Sequence, residues 1–475
     1  MNKTIFYSNL LVALSLSCQN SYAISDLDLS INKHQQKFEQ VALQIWDIAE
    51  MGYQEYKSSS LLKEALSKEG FRIQDNVANI PTAFIAEYGS GFPVIAILGE
   101  FDALPGISQS ASPFKETYKD NIAGHACGHH LFGAGSAWAS VVIKEWLLNN
   151  KNTGTIRYYG TPAEEGGSGK VYLARGGLFD DVDIVLHWHP GSENHARPRT
   201  SNANKSAKFN FKGISAHAAA APDKGRSALD GVESMNMMVN LMREHIPQDS
   251  RIHYVITKGG LAPNVIPDEA EVYYYVRHPK RKMVEELFKR VVKAAEGAAL
   301  GTETTMNFEV MHGNYSLMPN DTLQAIMHEK LSSRGGIRYS SKENEFANTI
   351  YKTLLNPKAK IGDQEEILSY KPTHGYGSTD VGDVSWLVPT AGARISTWVP
   401  GTPAHSWQAV ASGGTTIGLK GTKLAVQVLS ETAKEIFLNP SIASKAKEEL
   451  EKRVGKDFNY MPLLGNRAPP LDYRN

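Results

Sequence analysis

Cys127 and His129 stand one residue apart in Gly124-His125-Ala126-Cys127-Gly128-His129-His130, a stretch that puts three imidazoles and one thiol within seven residues. Sulfur and imidazole together suit zinc, manganese or another borderline transition metal. In an extended loop the i, i+2 spacing turns the thiol and the second imidazole to the same side. Three further places carry matching chemistry. Glu164-Glu165 follows Pro162-Ala163 and precedes Gly166-Gly167, and glycines let a backbone approach something closely. Two adjacent carboxylates point different ways, so one can hold a metal while the other takes a proton from a water whose pKa the metal lowers. His187 and His189 flank Trp188 and by alternation face the same way. His405 stands late in the chain, in the loop Pro403-Ala404-His405-Ser406.

The elements that must position these groups read as an α/β sheet. Helical spacing is predicted over Ser30 to Glu50 and Ser58 to Lys68, an apolar segment over Thr82-Ala86, a buried strand over Val94-Leu98, and strands over Thr155-Tyr159 and Ile184-Leu186. Leu131 to Leu148 is a helix-compatible run behind the thiol loop, and Lys170 to Arg175 a short helix behind the glutamates. Strands alternating with helices gather chemistry at strand ends, and each polar cluster falls at one. Pro190 to Lys205 reads as a polar linker. After it comes a β-α-β-β-α-β order: Ala207-Phe211, Ser227-Met242, Ile252-Thr257, Glu271-Arg277, Met283-Ala298 and Thr304-Val310. Past Tyr315 the first domain is expected to resume, with helices over Asp321-Ser332, Lys342-Leu355 and Gly418-Phe437, a loop through Ser378-Asp383, and a surface tail after Tyr460.

The chain has 475 residues, 41% hydrophobic and 21% charged, which fits a globular protein of two or three domains. Lys+Arg and Asp+Glu both number 50, so bulk charge favours neither nucleic acid nor an anionic membrane surface. Lys3, the apolar run Leu10-Leu16 and the small-x-small Ser21-Tyr22-Ala23 read as a cleaved export signal over 1–23, which implies a secreted or periplasmic protein with no membrane span. Of the two cysteines, Cys18 leaves with that segment. Cys127 then stays as a lone thiol in an oxidising compartment, a liability that metal ligation would remove.

These motifs resemble the M20 family of metallopeptidases and amidohydrolases, in its aminoacylase-like branch. The likeness rests on Asp102-Ala103-Leu104-Pro105, His125-Ala126-Cys127-Gly128-His129, Pro162 to Gly167 and His405, and in the inserted region on Lys212 to His217 and Pro263 to Pro267. It implies a catalytic domain in two parts, 24–205 and 314–475, around an inserted ferredoxin-like lid and dimerisation domain, 206–313. It implies two divalent metal ions, Mn2+ or Zn2+, on Cys127, His129, Glu165, one of His187 and His189, and His405, with Glu164 as general base. His189 is taken over His187. His130 stands where the branch commonly has an acidic residue or Asn. His217 is expected to contact the substrate carbonyl, often across a dimer, and Asn264 and Arg277 to hold the substrate carboxylate.

The reading is a metal-dependent amidohydrolase acting on an N-acyl amino acid, with p-aminobenzoyl-glutamate or a related acyl-glutamate first among substrates. It is expected as a homodimer, or as a heterodimer with a related subunit. An aminopeptidase, carboxypeptidase or dipeptidase of the same fold is the alternative. A metal-binding partner subunit without turnover is the second, and Glu164 speaks against it. No Gly-x-Ser-x-Gly elbow follows a strand, which leaves a serine hydrolase unsupported.

Overall fold

The computed structural model describes residues 25–119 and 122–474, so the expected signal segment lies outside the described residues. Six strands form the main sheet in the order Arg72–Asp75, Phe84–Ser90, Gly154–Gly160, Val94–Gly99, Ile184–Gly191, Thr390–Ser396. The four from Gly154–Gly160 onward are mutually parallel, and Phe84–Ser90 runs against both its neighbours. Near-continuous apolar runs such as Val94-Ile-Ala-Ile-Leu suit strands covered on both faces.

Helix His129–Asn150 is the central support. It is buried along most of its length, against the sheet and between helices Asp26–Ile48 and Thr416–Leu438. Its sequence is apolar on all sides, as such a position requires. At Gly133 a Cβ would meet the Glu100 carbonyl oxygen at 2.6 Å. The missing side chain lets the helix lie directly on the exit of strand Val94–Gly99, bringing His129 to Glu100 and Asp102.

The inserted domain has the expected βαββαβ order: Ala203–Lys212, Ala228–Met242, Arg251–Lys258, Glu269–His278, Arg281–Gly301, Thr305–Asn314. Its four strands are antiparallel, in the order 251–258, 269–278, 203–212, 305–314. Phe209, Val232, Tyr274, Leu287 and Val291 belong to a core separate from that of the main sheet.

Four local expectations are corrected. Cys127 and His129 are not in an extended loop. Gly128 between them is left-handed (φ 80°), and its absent Cβ leaves room for Pro190. Segment 190–205 is not a linker. Asn194, His195 and Ala196 are buried, and Arg199–Thr200 pairs in parallel with Thr373–His374. Within the expected loop 378–383 a short helix begins, Val381–Ser385, with Asp380 and Asp383 fully buried. The end after Tyr460 is not a surface tail. Leu463 and Leu464 are buried, and the Tyr473 ring lies edge-on to Tyr53 at 5.6 Å.

Candidate metal centre and catalytic cleft

The polar groups converge at the carboxyl ends of the parallel strands, where open α/β sheets place ligands. Glu100 and Asp102 leave strand Val94–Gly99, Glu164 and Glu165 leave Gly154–Gly160, and His187 and His189 lie within Ile184–Gly191. Cys127 comes from the turn before the central helix, and His405 from the loop after Thr390–Ser396.

Two donor triads share one sulfur. Cys127, His129 and His189 form one, and Cys127, Glu165 and His405 the other; within each, the donor atoms lie within 4.8 Å of one another. The Cys127 Sγ is 3.6 Å from His189 Nε2, and His405 Nε2 is 3.1 Å from Glu165 Oε1. Outer contacts aim the ring nitrogens. His189 Nδ1 faces the Pro190 carbonyl at 2.7 Å, which can only accept, so Nδ1 carries the proton and Nε2 presents its lone pair. His129 Nδ1 meets Asp102 Oδ1 at 2.8 Å, which directs its Nε2 the same way. The other Asp102 oxygen accepts the Glu165 backbone N–H at 2.9 Å. His405 is held at φ 60° by its N–H donating to the Ala126 carbonyl at 2.9 Å.

This donor set fits a pair of divalent metal ions. It combines thiolate, imidazole and carboxylate, and His129 Nε2 is buried without a hydrogen-bond partner even though Glu100 Oε2 stands 3.0 Å away. Burial works against the Cys127 thiolate, yet His129 and His189 pull its pKa well below the usual value. Burial likewise opposes a charged His129, but Cys127, Asp102 and Glu100 lift its pKa well above the ordinary range. Burial and then Cys127 push Glu165 up to about 7. Burial, then Glu100 and Glu165, raises Glu164 well above a normal carboxyl. A divalent cation beside Glu164 and Glu165 would act against these two upward shifts and favour the ionised carboxylates.

Behind the triads lies a buried ionic group. Lys170 Nζ is 2.6 Å from Glu100 Oε1 and 2.7 Å from Asp380 Oδ1, with all three side chains at 0–1% exposure. Burial disfavours the Glu100 charge, but Lys170 and then His129 outweigh it and hold its pKa below the usual range. Residue type and spacing alone mark none of Glu100, Lys170 and Asp380 for a role. The available signal was a lysine beside the otherwise apolar Val171-Tyr172-Leu173-Ala174 run of its helix.

The other predicted residues separate. His187 faces the same way as His189, with its ring packed over Gly392, and belongs to no donor group among the described residues. His130 points away, its Nε2 3.1 Å from the Gly413 carbonyl and its ring 4.9 Å from that of His125. Arg277 lines the cleft, a cavity of about 440 Å³ that also contains Cys127, Glu164, His189 and His405. His217 and Asn264 do not line it. They sit together on an exposed tip of the inserted domain, where the Ala218 N–H donates to the Asn264 carbonyl at 3.0 Å.

Residues 201–317 match a family model described as a peptidase dimerisation domain. The chain is 40% identical over 472 residues to a subunit of p-aminobenzoyl-glutamate hydrolase from Escherichia coli (strain K12), covering 93% of this chain and 98% of that protein. Two solved structures superpose on the same fold. One is an aminobenzoyl-glutamate utilization protein from Klebsiella pneumoniae, with TM-score 0.57 and 17% identity over 84% of this chain and 98% of that one. The other is a dinuclear metal binding peptidase from Bacillus subtilis, with TM-score 0.56 and 18% identity over 84% and 99%.

Proposed function

We infer the activity from one premise: this chain belongs to the M20 family of peptidases and amidohydrolases. On that premise it hydrolyses the amide bond of an N-acyl amino acid, and p-aminobenzoyl-glutamate, for which its 40% identical relative is named, is the leading substrate. The observation that carries the reading is the pair of donor triads sharing Cys127, with the Glu164 carboxylate in the same cavity.

When bound, two divalent ions, Mn2+ or Zn2+, polarise the scissile carbonyl and lower the pKa of a water. Cys127, His129 and His189 would hold one ion, and Cys127, Glu165 and His405 the other. Glu164 takes the proton of the attacking water and passes it to the leaving nitrogen. Arg277, on the cavity wall, holds the carboxylate of the leaving amino acid. Asn264 and His217 complete the site from a second subunit, with an imidazole N–H aimed at the oxygen that gains negative charge. Support for a dimer comes from the inserted domain, where Met237, Leu241 and Val255 are 62%, 63% and 55% exposed beside an open strand edge. The second subunit is another copy of this chain or a related chain, the latter suggested by the relative's being named as one subunit of its hydrolase. Export from the cytoplasm is the reading that the signal-like segment 1–23 supports, and a mature N-terminus other than Ile24 would count against it.

The test is metal analysis of the purified protein together with hydrolysis of p-aminobenzoyl-glutamate. Glu164→Gln should keep its metals and lose roughly 10² to 10⁴ in turnover. Near-normal turnover in that variant removes Glu164 from the mechanism, and a metal-free protein without amidase activity removes the reading. Mixing Glu164→Gln with His217→Ala subunits should restore part of the activity. Mixed dimers that form and stay inactive exclude action of His217 across the interface.

A further inference from the structure

One wall of the cleft carries more positive charge than the metal chemistry uses. Arg197, Arg199 and Arg394 all line the cavity, on the side of the main sheet. Their nearest carboxylate contact is long, Arg197 Nη2 to Glu193 Oε2 at 3.9 Å, on a glutamate side chain that is 46% exposed. Among the described residues, Arg199 and Arg394 have no ion pair or side-chain hydrogen bond. Burial, then Arg394 and Arg197, push Arg199 down to about 10. His195 completes the wall. It is 4% exposed, both ring nitrogens lack partners, and burial followed by Arg197 and Arg394 keeps it neutral.

The placement of this wall follows from the sheet. Arg394 is the register partner of His189 in the parallel pair, so both side chains leave the same face, about 4.8 Å apart in backbone spacing. On its other side Arg394 pairs with His195, through N–H to carbonyl bonds of 2.9 and 2.8 Å. The chain then passes to Arg199, which lies under Gly375, where a Cβ would stand 2.7 Å from the guanidinium. The basic wall therefore begins one strand beyond a metal donor. It is distinct from Arg277, which lines the same cavity from strand Glu269–His278 of the inserted domain.

Cys127 and then Glu193 offset part of the Arg394 charge, but three guanidinium groups with one distant, half-exposed glutamate as their nearest carboxylate still repel one another, and an anion docked among them relieves that repulsion. Guanidinium planes accept a carboxylate through paired N–H donors, and a neutral imidazole adds one more donor. We propose that Arg197, Arg199 and Arg394, with His195, form a subsite for a second carboxylate of the substrate, separate from the carboxylate that Arg277 takes. This rests on the amidohydrolase reading and narrows it to dicarboxylic substrates: N-acyl-glutamate or N-acyl-aspartate, or an amino acid acylated by a dicarboxylic acid. A basic side chain in that position is repelled.

The experiment has a binding arm and a turnover arm. In the first, calorimetry on the metal-loaded protein compares glutarate with butyrate. Glutarate should bind at least tenfold tighter, and Arg199→Gln and Arg197→Gln should each weaken it by roughly 10- to 100-fold, with folding checked by thermal melting. Glutarate binding that matches butyrate, or that both variants leave intact, overturns the subsite whether or not any amide is cleaved. In the second arm, kcat/KM is compared for benzoyl-glutamate against benzoyl-glutamine, and for succinyl-alanine against butyryl-alanine. A preference for the dicarboxylate in either pair that collapses in Arg199→Gln, mainly through KM, supports the subsite and tells which end of the substrate it holds. Equal rates within both pairs overturn it. Absence of all hydrolysis counts against the amidohydrolase reading, while the glutarate arm still decides the subsite.

Discussion

Asp102 ties the His129 ring to the backbone of Glu165: its Oδ1 lies 2.8 Å from His129 Nδ1, and its Oδ2 accepts the Glu165 N–H at 2.9 Å. One carboxylate thus sets the tautomer of His129 and the position of the glutamate loop. Asp102→Asn keeps the shape but replaces one acceptor oxygen by an NH2 donor. It should weaken metal binding about 10- to 100-fold, the usual effect of losing an outer partner of a ligand. Titration with a competing chelator measures this, and unchanged affinity would show that Asp102 orients nothing.

Cys127 belongs to both triads and is buried. A metal-bound thiolate is shielded from electrophiles. Reaction with an aromatic disulfide should therefore be slow in the metal-loaded protein and at least tenfold faster after chelation, because the neighbouring imidazoles keep the freed sulfur in its reactive form. Equal rates in the two states would speak against ligation.

Lys170 is fully buried between Glu100 and Asp380. Lys170→Met leaves two carboxylates facing each other without a cation. Removing one member of a buried ion pair typically costs about 3–5 kcal/mol. Thermal unfolding of the variant should fall by several degrees, and Lys170→Met with Asp380→Asn should recover part of the loss. A single variant as stable as the parent would mean that Asp380 is held protonated.

Glu145 receives Ser30 Oγ at 2.6 Å, Lys33 Nζ at 2.5 Å and His34 Nε2 at 2.9 Å. Partial burial raises its pKa, but Lys33, Ser30 and His34 outweigh that and bring it to about 2. The folded value is depressed, so this stabilisation is present above the unfolded value near 4.5 and is lost as pH falls toward 2. The parent should outlast Glu145→Gln on heating at pH 6, with the gap closing between pH 4.5 and 2. Solvent exposure of Lys33 keeps the effect modest. A gap that does not change with pH would assign the difference to packing.

The C-terminal segment fastens the glutamate loop from behind. Tyr473 donates its hydroxyl to the Glu165 carbonyl at 3.0 Å, and Arg474 Nη2 donates to the same oxygen at 2.6 Å. Gln54 Nε2 anchors the segment through the Leu471 carbonyl at 2.7 Å. Tyr473→Phe combined with Arg474→Ala should lower turnover and metal retention about tenfold while leaving the unfolding midpoint almost unchanged. Full activity in that variant would make the segment a bystander.

Much of this protein can be read along the chain. Val94-Ile-Ala-Ile-Leu and Ile184-Val-Leu announce buried strands, and Cys127, His129, Glu164, Glu165 and His405 stand beside such strands or their connecting loops, because donor type and apolar runs are local properties. The βαββαβ order of the inserted domain is legible for the same reason. The choice between His187 and His189 is not local. Both face one way, and only the sheet decides that Gly392 lies beside the first and Arg394 beside the second. Segment 190–205 looks like a linker because its polar groups have no partners nearby in sequence. Asn194 bonds to the Gln364 carbonyl 170 residues away, and Arg199 pairs with Thr373. Lys170 meets Asp380 across 210 residues. Buried polar and charged groups must find partners wherever the fold brings them, and composition does not record where that is. The donors are therefore written in the sequence, while their orientation, their ionic support and the basic wall beside them come from contacts that only the folded chain makes.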